Sequence, residues 1–130
     1  MKPLQVNLTF AYDFNGQLST DRHDIAVGTA EHQIAPYEML LGALASCFYA
    51  TFLEVAEKKK IKYTKVEITV TGEKRKDIPT TLLWGKLLVK VFNAEKESGI
   101  IKSAELAAKY CSIYQTLSHV ADLSWDVEFY

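Results

Sequence analysis

Two periods alternate along the chain. From Tyr63 to Gly72, Val66, Ile68 and Val70 fall on one face and Lys65, Glu67 and Thr69 on the other. That is the pattern of a half-buried antiparallel strand. A charged connection from Glu73 to Pro79 leads to a second strand, Thr81 to Phe92, whose first half is apolar on both faces. This strand is expected under a helix or a neighbouring subunit. Glu97 to Tyr110 changes to a helical period, with a stripe of Ile100, Ile101, Ala104, Ala107 and Ala108 and with Lys102, Glu105 and Lys109 outside it. Ser112 to Ser118 reads as a further helical turn or a brief helix, and Leu123 to Phe129 alternates again as a closing strand. Towards the amino terminus, Leu4 to Tyr12 is rich in β-formers. Asn15-Gly16 reads as a hairpin turn, Gln17 to Thr20 as the returning strand and Asp24 to Val27 as a third short strand. Gly28 to Ala35 has no period and reads as a loop.

Between these halves lies the segment with the least polar pattern, Pro36 to Lys60. Proline suits the first turn of a helix, Glu38 its positive end and Lys58 to Lys60 its negative end. Met39 to Leu53 contains no charged residue. A helix that is apolar all round is expected to be buried on every side. A bilayer span needs about twenty such residues, and Gly42, Ser46 and Thr51 interrupt this run, so no membrane association is expected. A domain this small seldom encloses a whole helix. The surplus apolar surface therefore points to a partner subunit, most simply a second copy of the chain.

Strands and helices come in blocks, which gives an α+β class, and no linker divides the 130 residues, so residues 1–130 are expected to form a single domain. With 15 Lys+Arg against 16 Asp+Glu, the formal charge is −1. No basic surplus favours nucleic acid, and only Arg22 and Arg75 offer guanidinium groups. The amino terminus lacks the apolar core of a signal peptide, so the expected location is the cytoplasm.

Candidate chemistry narrows to two thiols. His23, His32 and His119 stand without zinc-ligand spacing, no phosphate-binding glycine loop is present, and neither a metal nor another cofactor is expected. Cys47 and Cys111 are too few for a disulfide scaffold. By composition alone they read as small buried hydrophobes. A thiol peroxidase needs one activated thiolate and, for recycling, a second thiol that captures the sulfenic acid. Cys47 lies about three turns into its helix, beyond the reach of the helix dipole. Cys111 precedes a helical segment, so local electrostatics nominate Cys111 as the more acidic thiol.

The residues around both cysteines resemble a known family. Pro36-Tyr37-Glu38-Met39-Leu40-Leu41-Gly42-Ala43-Leu44-Ala45-Ser46-Cys47-Phe48 is similar to the buried-helix signature of the OsmC/Ohr proteins, the osmotically inducible and organic hydroperoxide resistance proteins. Cys111-Ser112-Ile113-Tyr114-Gln115-Thr116-Leu117-Ser118 resembles the family's second-cysteine segment, usually CPxSxTL. The 64-residue separation and the order of elements agree as well. The resemblance implies an intertwined homodimer with two long central helices packed against curved antiparallel sheets and active sites at the interface. It also implies that Cys47 attacks an organic hydroperoxide, that Cys111 resolves the sulfenic acid as a disulfide, and that a dithiol such as a lipoylated protein restores both thiols. Against the local electrostatics, it makes Cys47 the peroxidatic residue.

The surroundings of the thiols depart from the family. Where its peroxidases carry a glutamate after the motif's proline, this chain has Tyr37, with Glu38 one position later and hence rotated by about 100° on a helix. The family's arginine, carried on the first hairpin, has no counterpart there; Arg22 lies just beyond it, and Arg75 stands in the second hairpin loop, where a charge is expected to be solvated. Tyr37, Glu38 and Arg22 are thus the candidate supporting residues. Ser112 replaces the proline after Cys111. Two other readings follow from these departures: a dimer of the same fold that binds a small apolar or acyl ligand at its interface, or two inert core thiols.

Overall fold

The computed structural model describes residues 2–130, which form six strands and three helices. The described chain gathers into two compact units, the first ending at Leu40 and the second running Leu41–Tyr130.

The first unit holds an antiparallel three-stranded sheet, β1 (Asn7–Phe10), β2 (Asn15–Ser19) and β3 (Asp24–Gly28), in the order β1-β2-β3. The Asn15-Gly16 pair is not the hairpin turn its composition suggests. Gly16 lies within β2, opposite Phe10, and the turn is made by the residues before it, closed by the Ala11 amide donating to the Asn15 carbonyl at 3.1 Å. The reason is steric. A Cβ on Gly16 would come within 2.5 Å of the Phe10 ring and 2.6 Å of the Thr9 carbonyl oxygen, so glycine here makes room for the aromatic ring. Phe10 in turn stacks on Phe14 with ring centres 5.6 Å apart. β1 is accordingly shorter than the expected Leu4–Tyr12 strand, and Leu8, Phe10, Phe14 and Ile25 are all exposed.

Helix α1 (Pro36–Lys58) begins in the first unit and continues through the second. Its opening has one half of a capping box: the Glu38 carboxylate accepts from the Ala35 amide at 2.8 Å and satisfies a donor the helix leaves open. Within the second unit, α1 buries one stripe, Leu44, Phe48, Phe52 and Ala56, at a spacing of four residues. The expected all-round burial is therefore not met by the chain's own residues. Met39, Leu41, Ala43, Ala45, Tyr49, Leu53 and Val55 remain only half-buried. By length and composition alone α1 is long and apolar enough to cross a membrane; its buried stripe, however, belongs to a core shared with a sheet of the same chain.

That sheet contains β4 (Lys65–Lys74), β5 (Leu82–Phe92) and β6 (Asp122–Phe129), ordered β4-β5-β6. β4 and β5 pair antiparallel, with Val66 opposite Val91 and Ile68 opposite Val89. The α+β class holds, but β6 runs parallel to β5, which corrects the expectation of wholly antiparallel sheets. The physical reason is the connection. α2 (Glu97–Tyr110) and α3 (Ser112–Ser118) lie between β5 and β6 and supply the long crossover that parallel neighbours require. Leu87, Val89 and Val91 of β5 are fully buried and share one core with the α1 stripe and with Ile100, Ala104 and Ala107 of α2. The buried stripe of α2 includes Ser103 in place of the expected Ile101, which is 43% exposed. Ser103 tolerates burial because its hydroxyl donates to the Gly99 carbonyl at 2.8 Å.

Candidate active site

Cys47 faces away from solvent only in part, whereas Cys111 is completely buried. Cys47 is placed by α1, one position before Phe48, whose ring packs against Tyr114 of α3 at 6.2 Å between centres. Cys111 occupies the junction of α2 and α3. Its extended backbone ends one helix and begins the next, and its amide donates to the Ala107 carbonyl at 2.8 Å. Its sulfur caps α3 by accepting from the Tyr114 amide at 3.4 Å. The α1–α3 packing thereby brings together two cysteines 64 positions apart, and both are free thiols.

The donors that converge on Cys47 decide which thiol ionises. Burial disfavours its charged form, but hydrogen bonding with the Ile113 backbone, the Cys111 thiol, and the Ser112 hydroxyl and backbone favours it. The Ser112 hydroxyl oxygen lies 4.0 Å from Cys47 Sγ. The outcome is a Cys47 pKa below its ordinary value of 9.0. Cys111 moves the other way. Burial, its hydrogen bond to Cys47 and the charge on Cys47 push it up to about 11, against the opposing amides of Tyr114 and Ile113. The local electrostatic nomination of Cys111 is thus corrected. The first turn of α3 does favour a thiolate, but its free donors serve the sulfur that α1 presents from across the core. The missed signal was Ser112, whose hydroxyl and amide both become available at the position where the family has proline.

Every group that lowers the Cys47 pKa is an uncharged hydrogen-bond donor. Arg75 is not simply solvated, as expected for a loop cation. Its guanidinium donates to the Val120 carbonyl at 2.7 Å and to the Thr81 hydroxyl at 3.2 Å, tying the β4–β5 connection to the turn that follows α3. The three candidate supporting residues belong to the first unit. Glu38 is engaged in capping α1, Arg22 is exposed in the Thr20–His23 turn, where its amide donates to the Thr20 hydroxyl, and Tyr37 is half-buried in the first turn of α1. Beyond Cys47 on α1, Thr51 donates to the Cys47 carbonyl at 3.1 Å and borders a cleft of about 310 Å³ with Glu54, Val55, Lys58, Leu106 and Tyr110. Among the described residues, no group of three or more His, Cys, Asp or Glu side chains gathers as a metal site would require.

Comparison with known proteins agrees with this architecture. In solved structures the fold recurs in an OsmC-like protein of Mycoplasma pneumoniae, with a TM-score of 0.87, 22% identity and coverage of 98% of this chain and 97% of that one. A hypothetical protein of Aquifex aeolicus matches with a TM-score of 0.85 and 21% identity over 100% of this chain and 99% of its own. An organic hydroperoxide resistance protein of Elizabethkingia anophelis matches with a TM-score of 0.77 and 16% identity over 100% of both chains. No curated protein matches the chain in sequence. The sequence model of the OsmC-like proteins matches residues 28–126, which include both cysteines and most of the described elements. The chain belongs to the OsmC-like protein family.

Proposed function

We propose that the protein is a cysteine-based reductase of organic hydroperoxides in which Cys47 is the peroxidatic residue and Cys111 the resolving one. The observation that carries this reading is the opposite displacement of two adjoining thiols, Cys47 towards thiolate and Cys111 towards thiol. A buried pair of inert core cysteines has no need of four converging donors, because an uncharged thiol is satisfied with fewer.

The chemistry follows from these two states. The Cys47 thiolate attacks the terminal oxygen of R–O–OH. The O–O bond breaks, the alkoxide leaves and takes up a proton as the alcohol, and Cys47 becomes a sulfenic acid. Cys111 is held protonated at first by burial, by its bond to Cys47 and by the Cys47 charge. Oxidation removes the last two influences and leaves only burial opposed to the Tyr114 and Ile113 amides, which favour its ionisation. Cys111 then attacks the Cys47 sulfur, hydroxide leaves and is protonated to water, and a Cys47–Cys111 disulfide forms. An external dithiol, such as a lipoylated protein, returns both residues to thiols by disulfide exchange.

The same reading makes the functional unit a homodimer in the cytoplasm. The half-buried flanks of α1 and the exposed Leu8, Phe10, Phe14 and Ile25 are the apolar surface a second copy would cover. A fold-sharing dimer that only binds an apolar ligand would need no acidic thiol, and the donors on Cys47 favour the reductase. Peptide mass mapping after one equivalent of cumene hydroperoxide tests the assignment. The expected product is a Cys47–Cys111 disulfide. Recovery of both cysteines as unmodified thiols would overturn it.

A further inference from the structure

A reductase of this kind needs its attacking sulfur charged at neutral pH, and such thiols are ordinarily held by a cation, a helix terminus or strong donors. At Cys47 the groups that favour the thiolate are all uncharged. Ser112 is distinctive among them. Its hydroxyl oxygen approaches Cys47 Sγ at 4.0 Å and has no other hydrogen-bond partner among the described residues. Its own carbonyl is engaged separately by the Thr116 hydroxyl at 2.9 Å, which fixes the first turn of α3 and holds the Ser112 backbone in place. Proline, the family's usual residue here, has neither a hydroxyl nor an amide hydrogen.

We propose that Ser112 is the thiolate-holding residue of this site, its hydroxyl donating to Cys47 Sγ in place of the arginine used elsewhere in the family. The inference rests on the peroxidatic reading of Cys47 but can fail independently of it. A neutral donor differs from a cation in a measurable way. It adds no charge that salt could screen, so the acidity of Cys47 should be nearly independent of ionic strength, whereas an arginine partner would make it salt-dependent.

The test is the pH dependence of iodoacetamide alkylation at Cys47, read by peptide mass spectrometry on the full-length reduced protein. Ser112→Ala should raise the apparent Cys47 pKa by about one unit, the size expected for one donor to a partly exposed anion. Ser112→Pro, at a first helical position that tolerates proline, removes the amide hydrogen as well and should raise it further. Ser112→Thr keeps a hydroxyl and should restore the wild-type profile. The Ser112→Ala profile, taken on a variant that loses no backbone group, keeps the test valid even if the proline variant folds poorly. An unmoved Cys47 pKa in Ser112→Ala, or a wild-type pKa that shifts by a unit between low and high salt, would overturn the proposal. Reaction of Cys47 with a hydroperoxide is scored separately. A shifted pKa without peroxide reactivity would reject the reductase reading and leave the role of Ser112 standing.

Discussion

The Cys47 sulfur and the Ser112 hydroxyl oxygen lie 4.0 Å apart although 65 residues separate them in sequence. The contact exists because α1 and α3 are locked by Phe48 against Tyr114, and because the residue after Cys111 is one that can donate. It sets the acidity of one thiol by means of the segment that carries the other.

The two cysteines should titrate far apart. Alkylation of Cys47 is expected to reach half its maximal rate below pH 9.0, the ordinary thiol value, and that of Cys111 only near pH 11. The stability linked to Cys111 has a definite sign. Its folded value lies above its unfolded one, so its contribution is complete below about pH 9 and is lost as the pH rises through about 11. Chemical denaturation at pH 8 and pH 11 checks this, with the lower midpoint expected at pH 11.

Replacing Cys111 with serine should separate the two oxidation steps. Cys111→Ser retains a donor beside Cys47 but cannot form the disulfide, so one equivalent of hydroperoxide should leave a Cys47 sulfenic acid that dimedone traps. Excess peroxide should carry Cys47 on to the sulfinic acid in this variant, whereas the wild type should stop at the disulfide. Intact-mass spectrometry distinguishes the products.

Phe48→Ala should cost about 3–5 kcal/mol, as large-to-small changes at fully buried aromatic positions do; Phe48 is 0% exposed. Because the ring also seats Tyr114, the variant should raise the Cys47 pKa as its donors lose alignment. Urea denaturation and the alkylation profile measure the two effects on one sample.

Glu38 should behave as a capping residue. Glu38→Ala removes the acceptor of the Ala35 amide and should cost about 1 kcal/mol, the usual size for a lost cap, while leaving the Cys47 pKa unchanged. A rise in that pKa instead would give Glu38 a part in thiol activation.

The sequence reading was soundest where one period and its boundaries agreed. α2 has the expected limits, and β4 and β6 alternate as their patterns require, because each packs a single face on one core. Three features needed coordinates. Gly16 looks like a turn residue, but its reason for being glycine is the Phe10 ring on the neighbouring strand. The parallel direction of β6 depends on how the α2–α3 crossover returns, which no local period records. The acidity of Cys47 arises from amides and a hydroxyl on another helix, so a dipole argument confined to each cysteine's own segment chose the wrong thiol. The two cysteines stand out in the sequence by their flanking motifs, whereas the groups that hydrogen-bond with Cys47 lie on another element.

The most direct measurement is the rate at which Cys47 in the reduced, full-length protein is oxidised by an organic hydroperoxide, followed by stopped-flow fluorescence at pH 7 beside free cysteine. A rate constant above that of free cysteine, as the larger thiolate fraction of a lowered pKa supplies, is expected to be lost in Cys47→Ser. A rate equal to that of free cysteine would contradict the assignment of Cys47 as a peroxidatic thiol.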